Sequence, residues 1–122
     1  VFLGYRKVMK KNYKEIIKEL ETERGVEGVF IVSRDGLPIY TSMDNIHAEA
    51  FSAMVATILS SAEIAIDGIK GGVPKFVVVE GRNRKIVISG AGPDYLIAVV
   101  SSIDASFLDK IERVGKELGK ND

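Results

Sequence analysis

The chain has 122 residues, 46% of them hydrophobic and 28% charged, a length and composition suited to one domain with a core of its own. Seventeen Lys and Arg balance seventeen Asp and Glu, so the chain lacks the basic surplus with which a phosphate-backbone binder releases counterions, and nucleic acid is not an expected partner. The absence of cysteine excludes a disulfide framework, a thiolate nucleophile and a cysteine-ligated zinc site.

The opening VFLGY is apolar but far shorter than a signal-peptide core, and lysines follow it directly. Secretion is not indicated, and a cytoplasmic protein is the expectation. Met9 reads as a start codon, which makes residues 1–8 a disordered or non-native leader to a single domain over 1–122. Residues 1–20 hold Arg6, Lys7, Lys10, Lys11, Lys14 and Lys18 against Glu15 and Glu19. That local surplus suits an acidic partner or a membrane surface, although a solvated helix face is the ordinary explanation.

Tyr13, Ile16, Ile17 and Leu20 recur at helical spacing and predict an amphipathic first helix capped by Gly25. The period then changes. VEGVFIVSRDGLPIYTS reads as a hairpin, because Asp35-Gly36 accepts the positive φ angles of a tight turn, and Pro38 places the second strand at a sheet edge. Asp44 or Asn45 caps a long second helix that runs to about Ile69 and stops at Gly71-Gly72. KFVVVEG, RKIVISG and YLIAVVS follow as strands, separated by Gly81-Arg82-Asn83 and by residues 90–94. Connections that short favour an antiparallel meander. From about Asp104, Phe107, Leu108, Ile111, Val114 and Leu118 mark a third amphipathic helix, with the final GKND frayed. The expected class is α+β, in the order αββαβββα.

VFIV, FVVV, IVI and LIAVV are unbroken apolar runs, so both faces of the sheet must be covered. The first and third helices suit one face together, which leaves the second helix alone on the other. Five strands ~4.8 Å apart form a layer about 20–24 Å wide, whereas one helix with its side chains is about 10–12 Å across. The second helix is also apolar on several sides. Phe51, Val55, Ile58, Ala62, Ala65 and Ile69 form a large stripe that Met54, Leu59 and Ile66 widen, and Ser52, Ala56, Ser60, Glu63 and Asp67 form a small or polar one.

A second copy related by a two-fold axis is therefore expected to complete the cover, with the open FVVV edge paired to its symmetry mate. The candidate dimer contacts are Ala53, Ala56 and Ser60 on the helix and Phe76, Val77 and Val78 on the strand. Ser52, Glu63, Asp67, Arg82 and Arg84 are the candidate partner-binding residues. The longest uncharged stretch, residues 50–62, falls short of the ~20 residues that cross a bilayer, so no membrane span is expected.

The element order, with GVEGVFIVSRDGLPIYTS leading into a helix rich in small residues, resembles the roadblock family of dynein light-chain-type domains over about residues 10–118. The most specific part is Gly28, an apolar run and then Asp35 to Ile39. The resemblance implies a profilin-like, five-stranded antiparallel sheet of order 2-1-5-4-3, with the second helix on one face and the first and third on the other. It implies homo- or heterodimers joined through strand three and helix two. Members act as non-catalytic platforms: dynein cargo-adaptor light chains, lysosomal signalling scaffolds, and bacterial polarity regulators that bind a Ras-like GTPase and stimulate its hydrolysis. The expected function is that of a dimeric scaffold or regulator of a small Ras-like GTPase, of the prokaryotic kind. The alternative is a small-ligand sensor with a pocket between sheet and second helix, which polar groups converging there would favour; the apolar runs supply none.

No catalytic residue, metal or cofactor is expected. His47 is the only histidine, and with Asp44 and Glu49 it lacks the spacing of a recognised ligand set. SGAGPDY is followed by a strand-like run rather than by the helix N-terminus a dinucleotide loop needs, and GKELGKN has the wrong spacing for a P-loop. Arg82, Arg84 and Lys85 cluster in one turn, where an exposed arginine can stabilise phosphate charge in a partner's active site; a solvated turn accounts for the same residues.

Overall fold

The computed structural model describes residues 12–43 and 47–120. The leader at residues 1–8 and the capping candidates Asp44 and Asn45 lie outside the described residues. Asn12 accepts the Glu15 amide at 3.2 Å and opens a helical segment that Ile17 divides into α1 (Tyr13–Ile16) and α2 (Lys18–Glu21). Ile17 and Leu20 are fully buried. This first helix closes at Thr22 rather than at Gly25; Gly25 has a φ of +89° and lies in the turn into the sheet.

The strands are β1 (Val26–Ser33), β2 (Pro38–Thr41), β3 (Val77–Glu80), β4 (Arg84–Ala91) and β5 (Tyr95–Ser102). The long helix α3 (Ala48–Gly68) joins β2 to β3, and α4 (Leu108–Lys120) follows β5. The sheet has the order β2-β1-β5-β4-β3 and every pairing is antiparallel, as expected. Lys120 still belongs to α4, so the helix takes in the first half of the GKND tail.

In the first hairpin only Gly36 takes a positive φ, +92°. The Gly36 amide donates to the Ser33 carbonyl at 2.9 Å, and the Leu37 amide donates to Ser33 Oγ at 3.0 Å. This is a type I turn that ends in a left-handed glycine, rather than a two-residue turn with both central angles positive.

Alternation along the central strands divides the core in two. Val29, Ile31, Val87, Ile97 and Val99 face α1, α2 and α4, where they meet Ile17, Leu20, Phe107, Ile111 and Leu118. Phe30, Val32, Ile88, Leu96 and Ala98 face α3, where they meet Val55, Ala56 and Leu59. The second layer is fixed at one end by Phe51 on Phe30, ring centroids 4.5 Å apart. The first is laced at its rim by Lys110 to Glu23 and Arg113 to Glu19.

The helix α3 has 21 residues and is long and apolar enough by composition to cross a membrane. This differs from the expectation that rests on the uncharged residues 50–62 alone, because the helix extends beyond them on both sides. In the fold it lies with one side against the sheet, in contact with β1, β2, β3 and β4.

Candidate functional site

At the end of the sheet, β3 pairs with β4 on one side, from Val77 opposite Ile88 to Glu80 opposite Lys85, and among the described residues it has no strand on the other. Val77 packs into the α3-side core and Phe76 into the opposite one. Val78 and Val79 alternate between the two faces and are 47% and 41% exposed. One helix does cover the middle of its face, since Phe30, Ile88 and Ala98 are fully buried. The shortfall that width predicts falls on this edge.

The solvent side of α3 carries Met54, Ile64 and Ile69, and Val73 stands in the segment beyond it; Ile64, Ile69 and Val73 are three-quarters or more exposed. Val79 shares with Val77 the sheet face that α3 covers, whereas Val78 is on the opposite face. Burying such surface contributes ~25 cal/mol per Å², and large exposed apolar patches mark interaction sites.

The first half of the small stripe of α3, Ser52 and Ala56, does not face solvent. Ser52 is fully buried and Ala56 nearly so, both against the chain's own sheet. A Cβ on Gly36 would lie 3.1 Å from the Ala53 backbone and 3.6 Å from the Ala56 side chain. The small residues therefore admit the β1–β2 turn rather than a partner's helix. Ser52 and Ala56 are thereby removed as contacts for a second chain, while Ser60 remains exposed and Ala53 half-buried.

The remaining candidates separate. Glu63 pairs with Arg34, Nη1 to Oε2, at 3.0 Å, whereas Asp67 is exposed. Arg84 Nε pairs with Glu27 at 3.0 Å. Lys85 donates to the Ala105 carbonyl at 2.9 Å and lies 5.7 Å from the centre of the Phe107 ring. The basic cluster of the β3–β4 turn is thus dispersed, with Arg82 left at its exposed tip. His47 is exposed at the N-cap of α3, and its side chain makes no capping hydrogen bond.

Between the sheet and α3, Phe30, Val32, Leu59 and Leu96 pack as one apolar core. Ile64 and Val73 are not among the candidates that the sequence offers, and Val79 is there only as part of the FVVV edge. Ile64 is a large apolar residue off the main stripe, which is a visible signal. Arg34 is not among the candidates either, since a turn residue beside Asp-Gly gives no signal at all.

The family model described as the Roadblock/LC7 domain matches residues 12–101. Protein MJ0310 of Methanocaldococcus jannaschii is 26% identical over 88 residues, 71% of this chain and 77% of its own length. A Roadblock/LC7 domain from Streptomyces avermitilis superposes with a TM-score of 0.75 at 21% identity, covering 90% of this chain and 93% of that one. An MglB solved in a tetrameric arrangement superposes with a TM-score of 0.76 at 15% identity, covering 89% and 86%. At these identities the two structures bear on the fold.

Proposed function

The chain belongs to the Roadblock/LC7 family, and from that premise we propose that it is a homodimeric, non-catalytic scaffold that docks a small Ras-like GTPase in the cytoplasm and alters its activity or location. The observation that carries this reading is the unpaired β3 edge, with Val78 and Val79 exposed, together with the exposed apolar residues of α3, the helix on the sheet face that Val79 shares with Val77. An edge of this kind invites another strand, and a matching edge on a second copy supplies one without any new element. The tetrameric arrangement of an MglB with the same fold lends support, since it is a case of this architecture assembling with itself.

In the assembly proposed, β3 pairs with its symmetry mate and the two α3 helices lie side by side. Phe76 and Val77 stay in their own cores and support the edge, while Val78, Val79, Ser60 and Ile64 make the contact. The GTPase then rests on the paired helices, with Asp67 and Arg82 at the rim, where charges set on-rate and selectivity.

Light scattering at micromolar concentration is expected to return twice the 13.3 kDa chain mass. The purified chain is then expected to retain a Ras-like GTPase from the same cell, with retention that differs between its GTP-loaded and GDP-loaded forms. A monomer at that concentration overturns the assembly. Absence of retention in both nucleotide states overturns the partner.

A further inference from the structure

The backbone of β3 dictates how another strand can meet it. The Gly81 amide donates to the Arg84 carbonyl at 2.8 Å, and bonded pairs recur at every second position of an antiparallel ladder. Val79 with Ile86 and Val77 with Ile88 are therefore the other pairs bonded across to β4. The Lys75 carbonyl is turned the same way and accepts from Ser89 Oγ at 3.0 Å. The amides and carbonyls of Phe76, Val78 and Glu80 thus point away from β4, and an added strand must bond to these three residues.

A two-fold axis that keeps both α3 helices on one face stands perpendicular to the sheet, and it makes the two β3 strands antiparallel. Residues that face each other across such a pair point to the same side of the sheet, while neighbours along a strand point to opposite sides. The axis must therefore pass beside one residue that faces its own copy. With Val78 in that place, Phe76, Val78 and Glu80 all find bonding groups, and on the α3 face Val77 meets the partner's Val79. Centring on Glu80 sets two carboxylates against each other, which is destabilising. Centring on Val79 leaves Val77 against a glycine and turns Glu80 onto the partner's Val78. Centring on Val77 sets Val79 against a lysine and Glu80 against Pro74, which has no amide to donate.

The register also decides what lies beyond the strand. Between α3 and the segment after it is a groove of about 420 Å³ whose lining includes Glu63, Ile64, Asp67, Val73 and Pro74 and, among the described residues, no lysine or arginine. Glu63 is held by Arg34, whereas Asp67 is exposed. With Val78 at the axis, Arg82 of the partner subunit comes opposite Pro74, at the side of this acidic groove. We propose that the second copy docks with Val78 facing the partner's Val78, and that Arg82 of the partner subunit enters the groove against Asp67. The two-fold repeats this contact at both ends of the strand pair. The proposal rests on the β3-edge dimer and adds to it a register and a charge contact between the copies.

The chain has no cysteine, so Val77→Cys, Val78→Cys, Val79→Cys and Glu80→Cys, each made alone, report the register by their rates of disulfide formation under a mild oxidant. Facing residues of a bonded pair have Cα atoms about 5.5 Å apart, within disulfide reach, whereas diagonal neighbours at about 7–8 Å lie beyond it. Val78→Cys is expected to cross-link at least about tenfold faster than Val77→Cys or Val79→Cys, with Glu80→Cys the slowest. Arg82→Glu and Asp67→Arg, both at exposed positions, are each expected to weaken association about tenfold, and the double variant to recover it to within about threefold. Fastest cross-linking at another of the four positions overturns the register and leaves the β3 dimer standing. No recovery in the double variant overturns the groove contact. A monomer at micromolar concentration, or a dimer that cross-links at none of the four positions, overturns the β3-edge dimer and this proposal with it.

Discussion

Tyr40 stands on the edge strand β2 and donates its hydroxyl to Glu21 of α2 at 3.3 Å. Partial burial raises its pKa above the usual 10.0, and the charge and hydrogen bond of Glu21 raise it further. The folded chain therefore holds the phenolic proton more tightly than the unfolded chain does. Its contribution is fully present below about pH 10 and is lost as pH rises through the folded-state value. Urea unfolding of the wild type and of Tyr40→Phe is expected to show a gap in the wild type's favour that stays constant between about pH 7 and 9 and narrows toward pH 11. A gap that is flat across that range would mean that the Glu21 contact does not tune the phenol.

Ala56 makes a second case at this scale. It is 7% exposed and lies against the β1–β2 turn, so Ala56→Glu forces an unpaired carboxylate into the α3-side core. A loss of several kcal/mol, on the order of 3–5, is expected, with the thermal transition weakened or abolished. Survival of the variant as a folded monomer would instead place Ala56 on an outer surface.

At the scale of elements, α3 faces two ways, and the two sides predict opposite outcomes. Leu59 is 2% exposed within the sheet-facing core, and Leu59→Ala is expected to cost about 2–5 kcal/mol in a denaturant melt. Ile64 is 75% exposed, so Ile64→Glu is expected to change the stability of the isolated domain by less than about 0.5 kcal/mol while shifting light scattering toward the monomer. Equal destabilisation by both would remove the distinction between core and contact faces.

The same helix shows where sequence is silent. Its limits were legible from Gly71-Gly72, and the strands were legible from period and turn residues, which act locally. Which flank meets the sheet was not legible, because large and small residues alike can face a sheet. The choice is made by the approach of the Gly36 turn, a contact between positions far apart in the chain. Arg34 escaped notice for the same reason, since its partners Glu63 and Gly92 are brought to it only by the finished topology. The β3 edge was legible because an apolar run at the end of a sheet is exposed whatever its neighbours do.

For the molecule as a whole, the question is what covers the exposed flank of α3, and two solvents compete: a bilayer and a second copy. Entry into a bilayer would strip Phe51, Val55 and Leu59 from the sheet and carry Glu49, Glu63 and Asp67 toward hydrocarbon. An acidic group at the centre of a membrane helix costs about 2.5–3.5 kcal/mol even on the mildest scale, and the emptied sheet face would then be open to water. A second copy asks for no such rearrangement. If the folded chain is stabilised by association, its melting midpoint must rise with concentration, because mass action favours the dimer over unfolded chains. Over a hundredfold increase the rise is expected to be roughly 5 °C for a chain of this length. Val79→Lys, which places a charge on the open edge, is expected to flatten that dependence while leaving far-ultraviolet dichroism unchanged, and neither protein should float with neutral lipid vesicles. A midpoint independent of concentration in the wild type would leave the flank without a second copy, and flotation would give it to the membrane.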